Sequence, residues 1–329
     1  MNFGAVPLDA AEGAVLAHSV ALIKGRLKKG RVLSAEDVAK LHDSGLSEVV
    51  VARLGPGDIG EDEAASRLAA AMVPDPAAAH LRIGKAATGR VNLFAEALGV
   101  AGIDAEKIHA INAIHPMITV ATVPPWQRMG LRGMVATVKI ISYAVPEEAL
   151  ARACAMGRDA LRLAPVQIRR AALIQTVIGA EDGEKGQRAI AERMDRLGVD
   201  LAPKCLVRHE VADLAAAIGQ ARAEAVFILT GSATSDIDDV APEALRAAGG
   251  VVHHFGMPVD PGNLLFYGDL RGVPVVGLPG CARSPALNGA DWVMERLLCG
   301  VPVTPMDIAR MGVGGLLKEI PSRGRPREG

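Results

Sequence analysis

Over the first 73 residues the apolar positions come in short runs broken by glycine and charge, the pattern of a small α+β unit. Val15 to Val20 reads as a short strand and Gly25 to Gly30 as a basic turn. Ser34-Ala-Glu-Asp37 predicts a helix through about His42, because a Ser oxygen and nearby carboxylates satisfy the open amide donors of a first turn. Gly45 ends that helix, Glu48 to Ala52 is strand-like, and Glu61 to Met72 forms a second helix closed by Pro74 and Pro76. Between Arg82 and Tyr143 the period shortens. Val91 to Phe94, Val100 to Ile103, Ile118 to Val123 and Val135 to Ile141 are expected strands, with a short helix from Asp104 and a bridging helix over Pro146 to Met156. After Pro165 strands and helices alternate. Strands are expected at Ala171–Val177, Lys204–Arg208, Ala225–Leu229 and Val251–Phe255, and helices at Lys185–Leu197, Val211–Arg222, Val240–Ala248 and Asn288–Leu298. A hairpin over Leu264–Tyr267 and Val273–Leu278 precedes the last helix.

Strand–helix alternation with short connections predicts a mostly parallel sheet covered on both faces, an α/β, Rossmann-like module. The expected domains are 1–80 (small α+β), 81–165 (β-rich, with the bridging helix), 166–312 (the α/β module) and a flexible tail over 313–329. Composition agrees. Half the residues are hydrophobic but only 3% are aromatic, so the core is built from Ala, Val, Leu and Ile. Lys plus Arg (36) nearly balances Asp plus Glu (37), so the composition does not announce a nucleic-acid partner, whose binding needs a clustered basic surface. No uninterrupted apolar run is long enough to span a bilayer, and the N-terminus lacks the basic leader of a signal peptide. Cys154, Cys205, Cys281 and Cys299 are widely spaced, which suits a reducing cytoplasm and offers no zinc ribbon.

Three loops of the module lie where such sheets bind ligands, beyond the carboxyl ends of strands. The first runs Thr230-Gly231-Ser232-Ala233-Thr234-Ser235-Asp236, then Ile237-Asp238-Asp239. Its glycine and small hydroxyl side chains allow close backbone approach, and Asp239 is placed to cap the next helix. Asp236, Asp238 and Asp239 form an acidic cluster suited to Mg²⁺, against which stands plain capping and solvation. The second is Gly277-Leu278-Pro279-Gly280-Cys281-Ala282-Arg283-Ser284, where Arg283 can pair with phosphate and Cys281 would be acidified by a helix start. The third, Gly256 to Asn263, turns at Pro261-Gly262.

In this order the loops resemble the molybdopterin-binding domain shared by molybdopterin adenylyltransferase and molybdenum insertase. The family's T-x-G-G loop running into D-V-T-P-E is similar to Leu229-Thr-Gly-Ser-Ala followed by Asp239-Val-Ala-Pro-Glu243. The Gly256–Gly262 and Gly277–Ser284 segments are similar to its other two loops, so the resemblance covers about 169–300. Val15-Leu-Ala-His18, Leu27 to Asp37 and Gly89-Arg-Val-Asn-Leu93 resemble the leading segment of a subfamily that can be fused to a cofactor cytidylyltransferase domain. Ser232 stands in place of the family's second glycine, and Asp260 and Asn263 stand where the insertase turn carries lysines.

The resemblance implies binding of molybdopterin or the molybdenum cofactor through Thr230 to Asp236, Asp239, Pro261, Gly262, Pro279, Gly280, Cys281, Arg283 and Ser284. It further implies work in molybdenum cofactor biosynthesis or maturation, a cofactor nucleotidyltransferase as a partner, and a homo-oligomer. Two alternatives stand beside it. One is an active Mg²⁺-dependent nucleotidyltransferase or molybdate-inserting enzyme with Asp239 as metal ligand and catalytic residue. The other is a non-catalytic assembly module that oligomerises through its β-rich half.

Overall fold

The computed structural model describes residues 1–317 of the 329. The fold is mixed α/β with several sheets. The chain forms two compact units, one of residues 1–96, 101–125 and 131–163, the other of 97–100, 126–130 and 164 onward. The stretches 1–80 and 81–165, separated by pattern, therefore fall mainly within the first unit.

In the first unit the strand Asn2–Pro7 pairs antiparallel with Glu48–Arg53, and Val15–Leu16 pairs on the other side of Glu48–Arg53. The expected strand at Val15–Val20 is two pieces, because Val20–Ala21 leaves to pair with Arg26–Leu27. Ser34 accepts from the Asp37 amide while Asp37 accepts from the Ser34 amide, so the helix Ala35–Asp43 begins with a full capping box. A four-stranded antiparallel sheet runs in the order Ile118–Thr122, Met134–Ile140, Arg90–Ala95, Leu81–Ile83. The helix Glu61–Met72 packs on its two inner strands and buries Ala64, Ala65, Leu68, Ala69 and Met72. That alanine-rich face permits close approach, as the low aromatic content requires.

The second unit holds a seven-stranded sheet. Arg170–Val177 pairs in parallel with Asp200–Leu201 and Cys205–Arg208 on one side and with Ala225–Leu229 on the other. Ala225–Leu229 pairs in parallel with Val273–Leu278, and Phe266–Leu270 and Val251–Phe255 extend the sheet antiparallel. The inner strands are buried on both faces. Ile190, Met194, Val293 and Leu297 pack with Leu173, Phe227 and Val276 on one face. Leu214, Ile218, Ala244 and Leu245 pack with Ile174, Val226 and Val275 on the other. Continuous apolar runs rather than alternation follow from cover on both sides.

The hairpin sits later than the pattern suggested, over Phe266–Leu270 and Val273–Leu278, because Leu265 is tied back to the Gly256 amide. Its turn, Arg271-Gly272, has both residues at positive φ (53° and 81°), the geometry that matches strand twist. The expected tail begins at 313, but residues 315–317 pair with Asp260 through two backbone hydrogen bonds. Residues 318–329 of that tail lie outside the described residues. Among the described residues no helix is long and apolar enough to cross a membrane.

Candidate functional site

The order of strands fixes where a ligand can sit. From Arg170–Val177 the chain moves outward to Asp200–Leu201 and Cys205–Arg208, then returns across the first strand to Ala225–Leu229. The direction of winding reverses between the first strand and Ala225–Leu229. In open α/β sheets a crevice opens at that point, beyond the carboxyl ends. A hollow of about 500 Å³ lies there, lined by Gln175, Thr176, Gly183, Lys185, Gly231 and Arg283 among others.

One wall is the turn after the first strand. Gln175, buried within the strand, donates from Nε2 to the Gly183 carbonyl at 3.0 Å and so fixes the turn. Gly183 takes the left-handed conformation (φ 68°) as N-cap of the helix Glu184–Asp195. Lys185 and Gly186 in the first turn of that twelve-residue helix line the hollow at the positive end of the helix dipole, where the Glu184 amide donates to the Asp182 carboxylate at 3.0 Å. A Cβ on Gly186 would lie 2.2 Å from Gln175 Oε1, so a side chain there would push Gln175 from its place. Glu181 and Asp182 also line the wall. Backbone amides, first that of Gly179, hold the Glu181 carboxyl below the usual carboxylate range.

The opposite wall joins the first and second loops. Half-buried Arg283 donates to the Thr230 carbonyl at 2.7 Å, which locks the 280–284 turn to the end of the Ala225–Leu229 strand. Burial lowers its pKa, and Glu181 opposes that effect. The Gly231 amide donates to Thr176 Oγ1 at 2.8 Å, so this glycine lines the hollow with its Cα while its N–H is already spent.

Of the residues singled out by sequence, Gly231 and Arg283 reach the hollow and the others fall around or away from it. Thr230 and Thr234 are buried with their hydroxyls 3.3 Å apart. Ser232, Ala233, Ser235 and Asp236 are exposed on the loop. Gly280, Cys281 and Ser284 are exposed on the short helical turn Gly280–Arg283 and just after it, whereas Pro279 is buried. Pro261 and Gly262 are buried against the helix Gly289–Leu298, where the Pro261 carbonyl accepts from the Gly289 amide at 2.8 Å. A Cβ on Gly262 would meet that amide nitrogen at 2.8 Å. The third loop thus rises from the same rim but is absent from the lining of the hollow.

The acidic cluster does not fit Mg²⁺. Asp239 accepts from the Val240 amide at 2.7 Å with one oxygen and from the Ser235 amide at 2.9 Å with the other. Asp236 accepts from the Asp238 amide at 2.9 Å, and Asp238 pairs with Arg246 at 3.3 Å. Capping and loop closure occupy these carboxylates. Among the described residues no three His, Cys, Asp or Glu side chains gather to hold a metal ion.

Sequence reasoning passed over the first turn of the module, which lacks G-x-G-x-x-G. Gly179, Gly183 and Gly186 after an apolar strand were the available signal. It also passed over Arg193, which sets the second loop in place. This buried guanidinium pairs with Asp291 of the helix Gly289–Leu298 and donates to the carbonyls of Ala189, Ala282, Ser284 and Ala286.

Residues 5–53 match a family described as a domain of unknown function (DUF8806). No curated protein matches the chain. Among solved structures, the molybdopterin biosynthesis moea protein from Pyrococcus horikosii is 15% identical, with 91% of this chain and 75% of that chain covered, at a TM-score of 0.33. A molybdenum cofactor biosynthesis protein from Pyrococcus furiosus is 12% identical, with 98% of this chain and 66% of that chain covered, at a TM-score of 0.23. Both likenesses are too slight to argue from.

Proposed function

We propose that the second unit is a Rossmann-like, molybdopterin-binding domain acting in molybdenum cofactor biosynthesis or maturation. The cofactor's phosphate sits in the hollow at the reversal of the sheet. The observation that carries this reading is the meeting of Gly231 and Arg283 with the first-turn residues Gly183, Lys185 and Gly186 around one space. The arrangement offers a phosphate a helix start and two cationic side chains, Lys185 and Arg283, against the Glu181 and Asp182 carboxylates that share the lining. Asp239 acts as a cap, so binding and presentation of the cofactor, rather than Mg²⁺-dependent transfer, is the role assigned. A nucleotidyltransferase is the kind of enzyme that would receive the ligand, in the cytoplasm.

Equilibrium binding of molybdopterin tests this. Arg283→Ala removes a charge-assisted contact and is expected to weaken binding about 10- to 100-fold, the worth of a hydrogen bond to a charged group. Gly231→Val is expected to weaken it as well, because a Cβ would stand 3.0 Å from the Thr176 carbonyl and 3.3 Å from Ile178. Equal affinity in wild type and both variants contradicts the proposed pocket.

A further inference from the structure

A groove of about 550 Å³ lies along one edge of the seven-stranded sheet, away from the carboxyl-end hollow. It opens where the edge is broken. Asp200–Leu201 pairs with Arg170 and Ala171, and Cys205–Arg208 pairs from Ile174 onward. Residues 202–204 between them leave the ladder, as Pro203, with no N–H to give, favours.

The floor is one face of the sheet. Arg170, Ala172 and Ile174 alternate onto it, and Cys205 and Val207 share it because they stand in register with Ile174 and Thr176. One wall is the helix Val211–Gln220, whose Asp213, Ala216, Ala217 and Gln220 recur at three- and four-residue steps and so form one stripe. The ends differ in charge. Asp213 pairs with Arg208 at 2.6 Å, which neutralises one end. Arg170 begins its strand at the other end. Arg222 joins it there, because the chain re-enters the sheet at Ala225, in register with Ala171. Among the described residues neither guanidinium has an ion-pair partner. Asp200 stands opposite Arg170 in the register without pairing to it, and the Glu224 carboxylate accepts from the Arg169 and Arg170 amides at 2.7 and 2.9 Å.

We infer that the groove binds an unbranched amphipathic carboxylate, with its alkyl chain along Ala172, Ile174, Cys205 and Val207 and its head between Arg170 and Arg222. A carboxylate is the planar match to a guanidinium fork, and the floor between the charged ends offers a chain only apolar side chains and a thiol. From Arg170 to Ile174 the strand runs about 13 Å at about 3.3 Å per residue. That is the reach of a chain of about eight to ten carbons. The inference does not depend on the ligand of the carboxyl-end hollow.

Isothermal titration of the whole chain with hexanoate, octanoate and decanoate, each below its micelle concentration, tests it. Affinity is expected to rise about two- to fourfold with each added carbon, the worth of a partly to fully buried CH₂. Octan-1-ol, which has no charge, is expected to bind about fivefold more weakly than octanoate, as is octanoate to Arg170→Gln/Arg222→Gln, the upper range for exposed ion pairs. Decanoate is also expected to slow alkylation of half-buried Cys205, followed by peptide mass spectrometry, while exposed Cys281 reacts as before. Affinity independent of chain length, wild-type affinity in the double arginine variant, or no binding up to the micelle concentration overturns the inference.

Discussion

Arg193→Met is expected to lower the stability of the second unit by about 3–5 kcal/mol, the usual cost of breaking a buried ion pair from one side. Arg193 is 6% exposed and Asp291 5% exposed, so water cannot replace the lost partner. The substitution strands the Asp291 charge and removes donors from four carbonyls, three of them in the 282–286 segment that carries Arg283. Thermal or urea unfolding of wild type and variant measures the loss. Restoring neutrality with Arg193→Met/Asp291→Asn is expected to recover part of it, since the two residues share one interaction. A loss under about 1 kcal/mol would place Arg193 outside the core of the unit. Folded Arg193→Met is also expected to bind molybdopterin weakly, because the second loop is hung on this side chain.

The second large effect concerns pH. Burial pushes the Glu295 carboxyl up to about 7, against the opposing pull of Arg128, whose Nε lies 2.9 Å away; the Asp291 charge adds to the rise. A carboxyl whose folded pKa lies above its ordinary 4.5 holds protons that the unfolded chain has released. Its stabilising contribution is therefore complete below about 4.5 and is lost as pH rises through about 7. The shift corresponds to about 3 kcal/mol over that interval. Glu295→Gln is neutral throughout, so its stability is expected to fall less than that of wild type between pH 5 and 8. Parallel unfolding free energies across that range would show that Glu295 ionises without cost. The same burial, with Glu295 beside it, pushes the Cys299 thiol up to about 12, which leaves no thiolate there at neutral pH.

Much of the second unit could be read from its pattern. The strands Ala225–Leu229 and Val251–Phe255 fall where the sequence puts them, and Asn288 caps the helix Gly289–Leu298 as expected of its residue type. Very short strands such as Asp200–Leu201 and Arg128–Met129 carry too few residues to show a period, so they become visible only through their partners. The loop motifs lie along one rim of the sheet. Gly231 and Arg283 border the hollow, whereas Pro261 and Gly262 use their tight turn to pack on the helix Gly289–Leu298. A glycine in a sequence does not tell whether the backbone it frees meets a ligand or another backbone. Arg193 shows a related limit. It lies on the apolar stripe of its helix with Ala189, Ile190 and Met194, which marks it as buried, but Asp291 and the four carbonyls it serves come from 4 to 98 residues away in sequence.

Hydrogen–deuterium exchange of the whole chain, with and without molybdopterin, addresses the central claim most directly. Slower exchange confined to residues 178–187 and 229–232 and to the 280–284 turn is the expected result, because those segments hold or adjoin the residues that line the hollow. Saturating binding that protects only other segments, or none, would contradict it.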